Sequence, residues 1–260
     1  MRSHTKLIGI ALVLVAALLV TGCNQLKARD QLNKGVQAYR TARYGEAIEN
    51  FKRAIQLDPK LLNARLYLAT AYAQQFMPGV ESEDNLRNGK QAIAEFENVL
   101  KEDPNNLGSV QGIASIYFQM KKMDEARKWY QRQIQLDPKN PESYYSVGVI
   151  DWTQTYQPRM EVKAREGLRA DEPIKNAKVR EELCAKNLPI IEEGFTMLKK
   201  AIELRPDYDD AMAYVNLMYR EKGDCEASPA ARAEDNKIAD EWIQKTLEIK
   251  KKKGAAAAAK

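Results

Sequence analysis

Histidine is almost missing from this sequence of 260 residues, and its scarcity removes whole classes of chemistry. The single histidine is His4, which lies in an N-terminal segment that we interpret below as a cleaved signal. Without it, the chain lacks Ser-His and Cys-His nucleophile pairs, histidine general bases and nearly all zinc or iron ligand sets. No phosphate-cradling glycine loop or metal-ligand spacing takes their place. The sequence therefore predicts a protein that is not an enzyme and that binds no cofactor and no metal.

An excess of one charge is also missing from the body of the chain. The formal net charge is +5, but seven of the 41 basic residues lie in the first six or the last eleven positions. Residues 23–249 keep 34 basic and 36 acidic side chains, a balance that indicates no nucleic-acid-binding surface. The lysine- and alanine-rich tail, residues 251–260, is typical of low-complexity sequence, and we expect it to be frayed.

The first 23 residues combine a basic start, a short apolar run and a cysteine. Arg2 and Lys6 come before residues 7–20, a run that carries no polar side chain. A helix needs about 20 apolar residues to span a membrane, so this shorter run indicates a secretory signal peptide. Residues 20–23, with the sequence VTGC, resemble the lipobox of bacterial lipoproteins.

The lipobox resemblance implies that residues 1–22 are removed and that Cys23 carries a diacylglyceryl group and a further fatty acyl chain such as palmitate. Two or three acyl chains anchor a protein stably without spanning the bilayer. Asn24 follows, and in the enterobacterial pattern a residue other than Asp there goes with sorting to the outer membrane. We therefore expect a lipid-anchored protein of the bacterial cell envelope, on the periplasmic face of the outer membrane in a Gram-negative cell. An ordinary secretory signal that contains a cysteine by chance is the alternative.

Prolines that follow amphipathic stretches of similar sequence recur along the rest of the chain. Pro59, Pro104, Pro138 and Pro206 lie 45, 34 and 68 residues apart, and a proline ends one helix and sets the entry to the next. The 34-residue period, with small residues such as Gly35 at fixed offsets, resembles the tetratricopeptide repeat, a helix-turn-helix unit. The resemblance implies an all-α fold, a right-handed tetratricopeptide-type α-solenoid with helical insertions. An irregular helical bundle with chance periodicity is the alternative.

The predicted organisation places five repeat units within residues 28–250, after a lipidated N-terminus and short linker at residues 23–27. The units cover residues 28–61, 62–106, 107–140, 141–208 and 209–250. Extra residues fall between the two helices of a unit at 76–87, 155–187 and 223–232, and insertions on one face of a repeat array often mark a binding face. The longest insertion, residues 155–187, is charged but contains helical patches, and we expect an ordered flap.

The repeat alignment places two cysteines on this inserted edge. Cys184 comes before the second helix of the fourth unit, and Cys225 follows the first helix of the fifth. Such helices are antiparallel neighbours in a tetratricopeptide array, and an exported protein meets an oxidising compartment in which cysteines pair. We predict a disulfide between Cys184 and Cys225 that pins the long insertion. Two unpaired, half-buried thiols are the alternative.

The first helices of tetratricopeptide units line a concave groove that binds partners. The family's groove positions correspond here to Leu32, Val36, Tyr39, Arg40, Leu66, Thr70, Gln74, Gln111, Phe118, Gln119, Tyr145, Val149 and Trp152. Tyr39, Phe118 and Trp152 would form an aromatic row, a common hot spot for a peptide or partner helix. Packing of these rings against the next unit or under the long insertion is the alternative. Leu32 and Val36 replace the Lys and Asn that hold a carboxylate in chaperone-binding repeats, so that activity is not expected.

Together these features predict a lipid-anchored scaffold that mediates protein-protein interaction at the bacterial cell envelope, with a role in assembling an envelope complex. The expected partners are a protein or peptide and, through the lipid, a membrane; nucleic acid and metal are not expected. A periplasmic peptide or cell-wall glycan binding protein that uses the aromatic row is the alternative. The repeat describes a scaffold and not its cargo, so the partner's identity does not follow from it.

Overall fold

The computed structural model describes residues 23–258, and all regular secondary structure in this range is helical. The helices are α1 (residues 23–40), α2 (Tyr44–Leu57), α3 (Leu62–Gln75), α4 (Glu83–Glu102), α5 (Leu107–Gln119), α6 (Met123–Leu136), α7 (Pro141–Arg165), α8 (Ala177–Leu204), α9 (Asp209–Gly223) and α10 (Pro229–Ala258). The all-α fold class predicted from the sequence is confirmed. The predicted signal segment, residues 1–22, lies outside the described residues.

Four helices end two residues before a proline of the repeat pattern: α2 before Pro59, α4 before Pro104, α6 before Pro138 and α8 before Pro206. The reason is visible at Asp58, the residue before Pro59. A following proline disfavours the helical backbone conformation, and Asp58 is extended while its backbone N–H still donates to the Ala54 carbonyl at 2.9 Å. The recurrent prolines therefore set the end of the second helix in each of the first four repeat units.

The chain divides into two compact units, each larger than a single repeat unit. The first of these, called the first unit, ends at Ala126, and the other, called the second unit, begins at Arg127. In the first unit, Gly35 of α1 lies against the Phe51 ring of α2, and a Cβ atom at Gly35 would come within 2.4 Å of that ring. Phe51 is fully buried together with Ala47 and Ala54. Small residues let the helix axes approach closely, which is the role that the repeat pattern assigned to Gly35.

The second unit contains most of α6 and helices α7 to α10, with α8 and α9 contributing most of its core. The buried cluster comprises Ile191, Phe195, Leu198, Ala201, Tyr208, Ala211, Val215 and Met218. Gly148 of α7 packs against Leu198, since a Cβ at Gly148 would lie 2.6 Å from the Leu198 Cγ. The small-residue contact of the first unit therefore recurs between the two long helices of the second.

The predicted flap at residues 155–187 is ordered, but most of it extends the two flanking helices. Helix α7 continues through Pro158 to Arg165, and α8 begins at Ala177 and continues through Pro189. Only residues 166–176 form a connection. Ile174 in this connection is 1% exposed and packs with Val162 and Leu183, so apolar burial holds the extended helices together.

The structure corrects the predictions for two terminal segments. Residues 23–27, predicted as a linker, are helical and belong to α1, and the fully buried Ala28 holds the first turn. The tail, predicted to be frayed, is helical to Ala258. Alanine is the best helix former, and the Lys253 ammonium contacts the Asp209 carboxylate at 2.6 Å. Within residues 23–258, none of the helices has the length and apolar content needed to cross a membrane.

Candidate functional site

Helices α3 and α5 line a cavity of about 410 Å³ in the first unit. Five of the predicted groove residues meet there: Leu66, Thr70 and Gln74 from α3, and Gln111 and Gln119 from α5. The remaining lining residues are Ala73, Phe96, Gly108, Gly112, Ser115 and Ile116. All of these side chains are uncharged, and their polar atoms are amides and hydroxyls, which both donate and accept hydrogen bonds.

The four-residue spacing of the polar side chains explains why they share the cavity. Residues four apart lie on one face of a helix, so Leu66, Thr70 and Gln74 follow each other along α3. The Thr70 hydroxyl donates to the Leu66 carbonyl at 2.8 Å. On α5, the Gln119 side-chain amide donates to the Ser115 hydroxyl at 2.9 Å. These contacts orient polar groups on both walls.

Small residues on α5 create the space. A Cβ atom on Gly112 would lie 2.5 Å from the Phe96 ring, so glycine allows α5 to approach α4 closely. Phe96 is 4% exposed and closes the base of the cavity as an apolar surface. Gly108, one turn earlier on α5, faces open space, since a Cβ there would meet no atom closer than 3.7 Å.

The Tyr39 hydroxyl of α1 lies near the side chain of Gln74, which lines the cavity. The Tyr39 ring lies 5.4 Å from that of Tyr44, edge to face. Burial, followed by the neighbouring Tyr44, raises the pKa of the Tyr39 hydroxyl above its ordinary value. The hydroxyl is therefore neutral across the physiological range and acts as a hydrogen-bonding group.

The other predicted groove residues of the first unit lie outside the lining of the cavity. Leu32 and Val36 are half-buried on α1, and Arg40 is exposed at its end. Phe118 is half-buried on α5. The structure therefore gathers the α3 and α5 positions into one site and leaves these four beside it.

The three predicted groove residues of the second unit pack against neighbouring side chains. The Tyr145 ring lies 5.7 Å from Tyr214 of α9, and the Trp152 ring lies 5.4 Å from the same tyrosine and 4.8 Å from Tyr156. Val149 is 6% exposed, so little of its side chain is accessible to a partner. Helix α7 contacts both α8 and α9, and positions that face an open groove in a plain repeat are covered here.

A buried ionic network in the second unit has no counterpart in the predictions. Asp151 is fully buried and pairs with Arg127, which also contacts Glu193 at 3.0 Å. Burial raises the pKa of Asp151 to about 7, although the Arg127 charge opposes the shift. The sequence does indicate that Asp151 is buried, because it lies three residues after Gly148 on a helix face that the repeat pattern predicts to be buried.

The structure joins Cys184 and Cys225 in a disulfide, with their Cα atoms 5.5 Å apart. The bond links α8, in the predicted insertion, to the segment that follows α9. Cys23 is exposed and unpaired. Among residues 23–258, no group of three or more acidic, Cys or His side chains is arranged to hold a metal ion.

Comparison with known protein families decides what these helix pairs are. Profiles described as tetratricopeptide repeat match residues 31–61 and residues 87–147. The chain contains tetratricopeptide repeats. The first match covers α2 and much of α1, and the second begins in α4 and ends in α7. The two walls of the cavity, α3 and α5, therefore belong to the tetratricopeptide pattern or adjoin it directly.

Solved structures show the same fold. The chain is similar to "Crystal structure of MamA protein", at 16% identity and a TM-score of 0.60, covering 88% of this chain and 94% of that one. It is also similar to "MamA 41-end from Desulfovibrio magneticus RS-1", at 17% identity and a TM-score of 0.58, covering 87% and 96%. No curated protein matches in sequence. The tetratricopeptide-type α-solenoid predicted from the sequence is confirmed, and this fold supports a scaffold for protein-protein interaction.

Proposed function

We propose that the protein is a lipid-anchored tetratricopeptide scaffold that binds a protein or peptide partner at the bacterial cell envelope and contributes to assembly of an envelope complex. The observation that carries the binding part is the cavity between α3 and α5, where five groove residues selected by the repeat pattern converge. The lipobox-like residues 20–23 and the exposed Cys23 support the anchoring part.

The chemistry of the cavity favours an uncharged, extended peptide segment as its occupant. Gln74, Gln111 and Gln119 present amide groups, which pair with the N–H and C=O groups of a peptide backbone without requiring a charge. The apolar base, including Phe96, would accept an apolar side chain. A carboxylate-terminated partner is not favoured, because the lining carries no cationic side chain to balance its charge.

A glycan partner receives less support. Sugar binding by an aromatic row would need open ring faces, but Tyr145 and Trp152 are engaged with Tyr214 and Tyr156. We therefore place the protein partner ahead of the periplasmic glycan-binding alternative.

Charge inserted into the cavity tests the binding site. The double variant Gln74→Arg/Gln111→Arg changes one exposed residue on each wall, and desolvating those charges should weaken partner binding by about tenfold or more. Photo-crosslinking from Ser115 in native envelopes identifies the partner, and its yield is then measured in the variant. Gln37→Arg, an exposed position on α1 outside the cavity, is the matched control. Equal crosslinking yields in the double variant and the wild type would contradict the proposed site.

The anchor is tested separately at Cys23. Mass spectrometry of the protein purified from membranes should show an N-terminal cysteine carrying diacylglyceryl and acyl groups. The Cys23→Ala variant should lose both the modification and cleavage before residue 23, because the lipobox-dependent peptidase acts on the lipidated cysteine. A mature N-terminus at Cys23 with an unmodified thiol would remove the anchor from the proposal while leaving the groove untouched.

A further inference from the structure

A second pocket, of about 310 Å³, lies in the second unit between the connection after α7 and helices α9 and α10. Three arginines from three helices line it: Arg159 of α7, Arg220 of α9 and Arg232 of α10. Ala170, Asp171, Asp224 and Asn236 complete the lining. None of the predicted groove residues is among them, so this pocket is separate from the cavity between α3 and α5.

Three cations converge on one carboxylate behind this pocket. Asp224 is 4% exposed, and one of its oxygens accepts from Arg159 at 2.7 Å and contacts the Lys163 ammonium at 2.5 Å. Its other oxygen accepts from Arg232 at 3.3 Å. Arg159 is 8% exposed and Lys163 is fully buried. One acidic group therefore faces three basic groups at the base of the pocket.

The remaining charges around the pocket do not neutralise this cluster fully. Glu221 lies 2.9 Å from Arg159, but burial raises the pKa of Glu221 to about 7, so its charge is incomplete at neutral pH. Arg220 pairs with Asp240 at 2.7 Å, an exposed contact at the rim. The Asp171 side chain is exposed and screened by solvent. Burial also lowers the pKa of the Lys163 ammonium below its ordinary value. Arg159, Lys163 and Arg232 still outnumber Asp224 and Glu221 by three basic groups to two acidic groups, which leaves the buried network with an excess of basic groups.

The walls of the pocket are held in place before any ligand arrives. The Lys163 ammonium donates to the backbone carbonyls of Ala170 at 2.7 Å and Glu172 at 2.9 Å. Arg232 donates to the Asp171 carbonyl at 2.7 Å. These bonds fix residues 170–172 against the cluster, so a ligand would not have to order the connection on binding.

We propose that this pocket binds a small molecule through an oxyanion, with a phosphate group placed among Arg159, Arg220 and Arg232. Guanidinium groups form paired hydrogen bonds with oxyanions, and an anion would balance the positive charge of the buried network. A tetrahedral phosphate offers acceptors to several donors at once, whereas a carboxylate presents two oxygens in one plane. The volume of about 310 Å³ accommodates a phosphate together with the small molecule that carries it.

Binding is tested on the full chain in detergent with inorganic phosphate as the probe, by calorimetry and by thermal unfolding at constant ionic strength. We expect phosphate to bind with a dissociation constant on the order of 1 mM and to raise the unfolding temperature relative to chloride. Acetate should bind about tenfold more weakly, and equal binding by acetate would overturn the choice of phosphate. No difference between phosphate and chloride would overturn the site as a whole.

Two variants separate specific binding from general charge effects. Arg232→Gln removes a lining guanidinium and should weaken phosphate binding by about tenfold or more. Lys237→Gln removes the same charge from an exposed position on α10 outside the lining and should leave binding unchanged. Equal weakening by both would show nonspecific screening and overturn the proposal. If Arg232→Gln does not fold, Arg220→Gln, at the more exposed rim, replaces it under the same criterion.

Discussion

Removing the Cys184–Cys225 disulfide should destabilise the second unit, and the structure sets the size of the effect. The two cysteines are 41 residues apart in sequence. Closing a loop of that length restricts the unfolded chain by about 4 kcal/mol at 25 °C in the chain-entropy description. For a chain of this size, such a loss corresponds to a fall of roughly 8–16 °C in the midpoint of thermal unfolding.

The measurement compares the wild type with Cys184→Ala/Cys225→Ala by calorimetry at neutral pH. Dithiothreitol should lower the unfolding temperature of the wild type toward that of the double variant, because it opens the same loop without changing any other side chain. It should leave the double variant unaffected, which provides the control for indirect effects of the reductant. A fall of less than about 2 °C in both the variant and the reduced wild type, against about 8 °C or more expected, would refute the reasoning.

Two further predictions concern the core of each unit. Gly112→Ala should destabilise the first unit by about 1–3 kcal/mol, because the new Cβ would meet the Phe96 ring at 2.5 Å. Gly108→Ala is the control and should be neutral or stabilising, since its Cβ would meet no atom closer than 3.7 Å. Urea unfolding measures both variants. In the second unit, the pKa of Asp151 is raised to about 7, so the folded state holds more protons than the unfolded state between about pH 4 and 7, and this group makes stability fall as pH rises. Asp151→Asn should flatten that part of the stability profile from pH 4 to 8; an unchanged slope would contradict the shift.

The elements that the sequence predicted well depend on local rules. A proline at Pro59 or Pro104 ends a helix through its own covalent geometry, and Gly35 is small whatever surrounds it. The polar wall of the cavity was also predictable, since Thr70 and Gln74 are four residues apart on a helix whose orientation the repeat determines. These features need only the chain within one or two repeat units.

The features that escaped prediction depend on distant neighbours. Pro158 and Pro189 lie inside helices whose extensions pack together through Val162 and Leu183, and no local pattern reveals that partner. The packing of Tyr145 and Trp152 against Tyr214 requires α9 to lie over α7, although the two helices are separated by the whole of α8 in the chain. The network around Asp224 likewise joins residues from α7 to α10, which the 34-residue period does not relate.

The disulfide also alters what proteolysis can do to this protein. Any single backbone cut between residues 184 and 225 leaves the two products covalently joined through Cys184 and Cys225. Helix α9 and most of the long α8 lie within that interval, so a nicked chain would keep these helices attached and would run as an intact chain until the bond is reduced. A protease acting on the second unit would therefore have to cut twice, or outside this interval, to release a fragment.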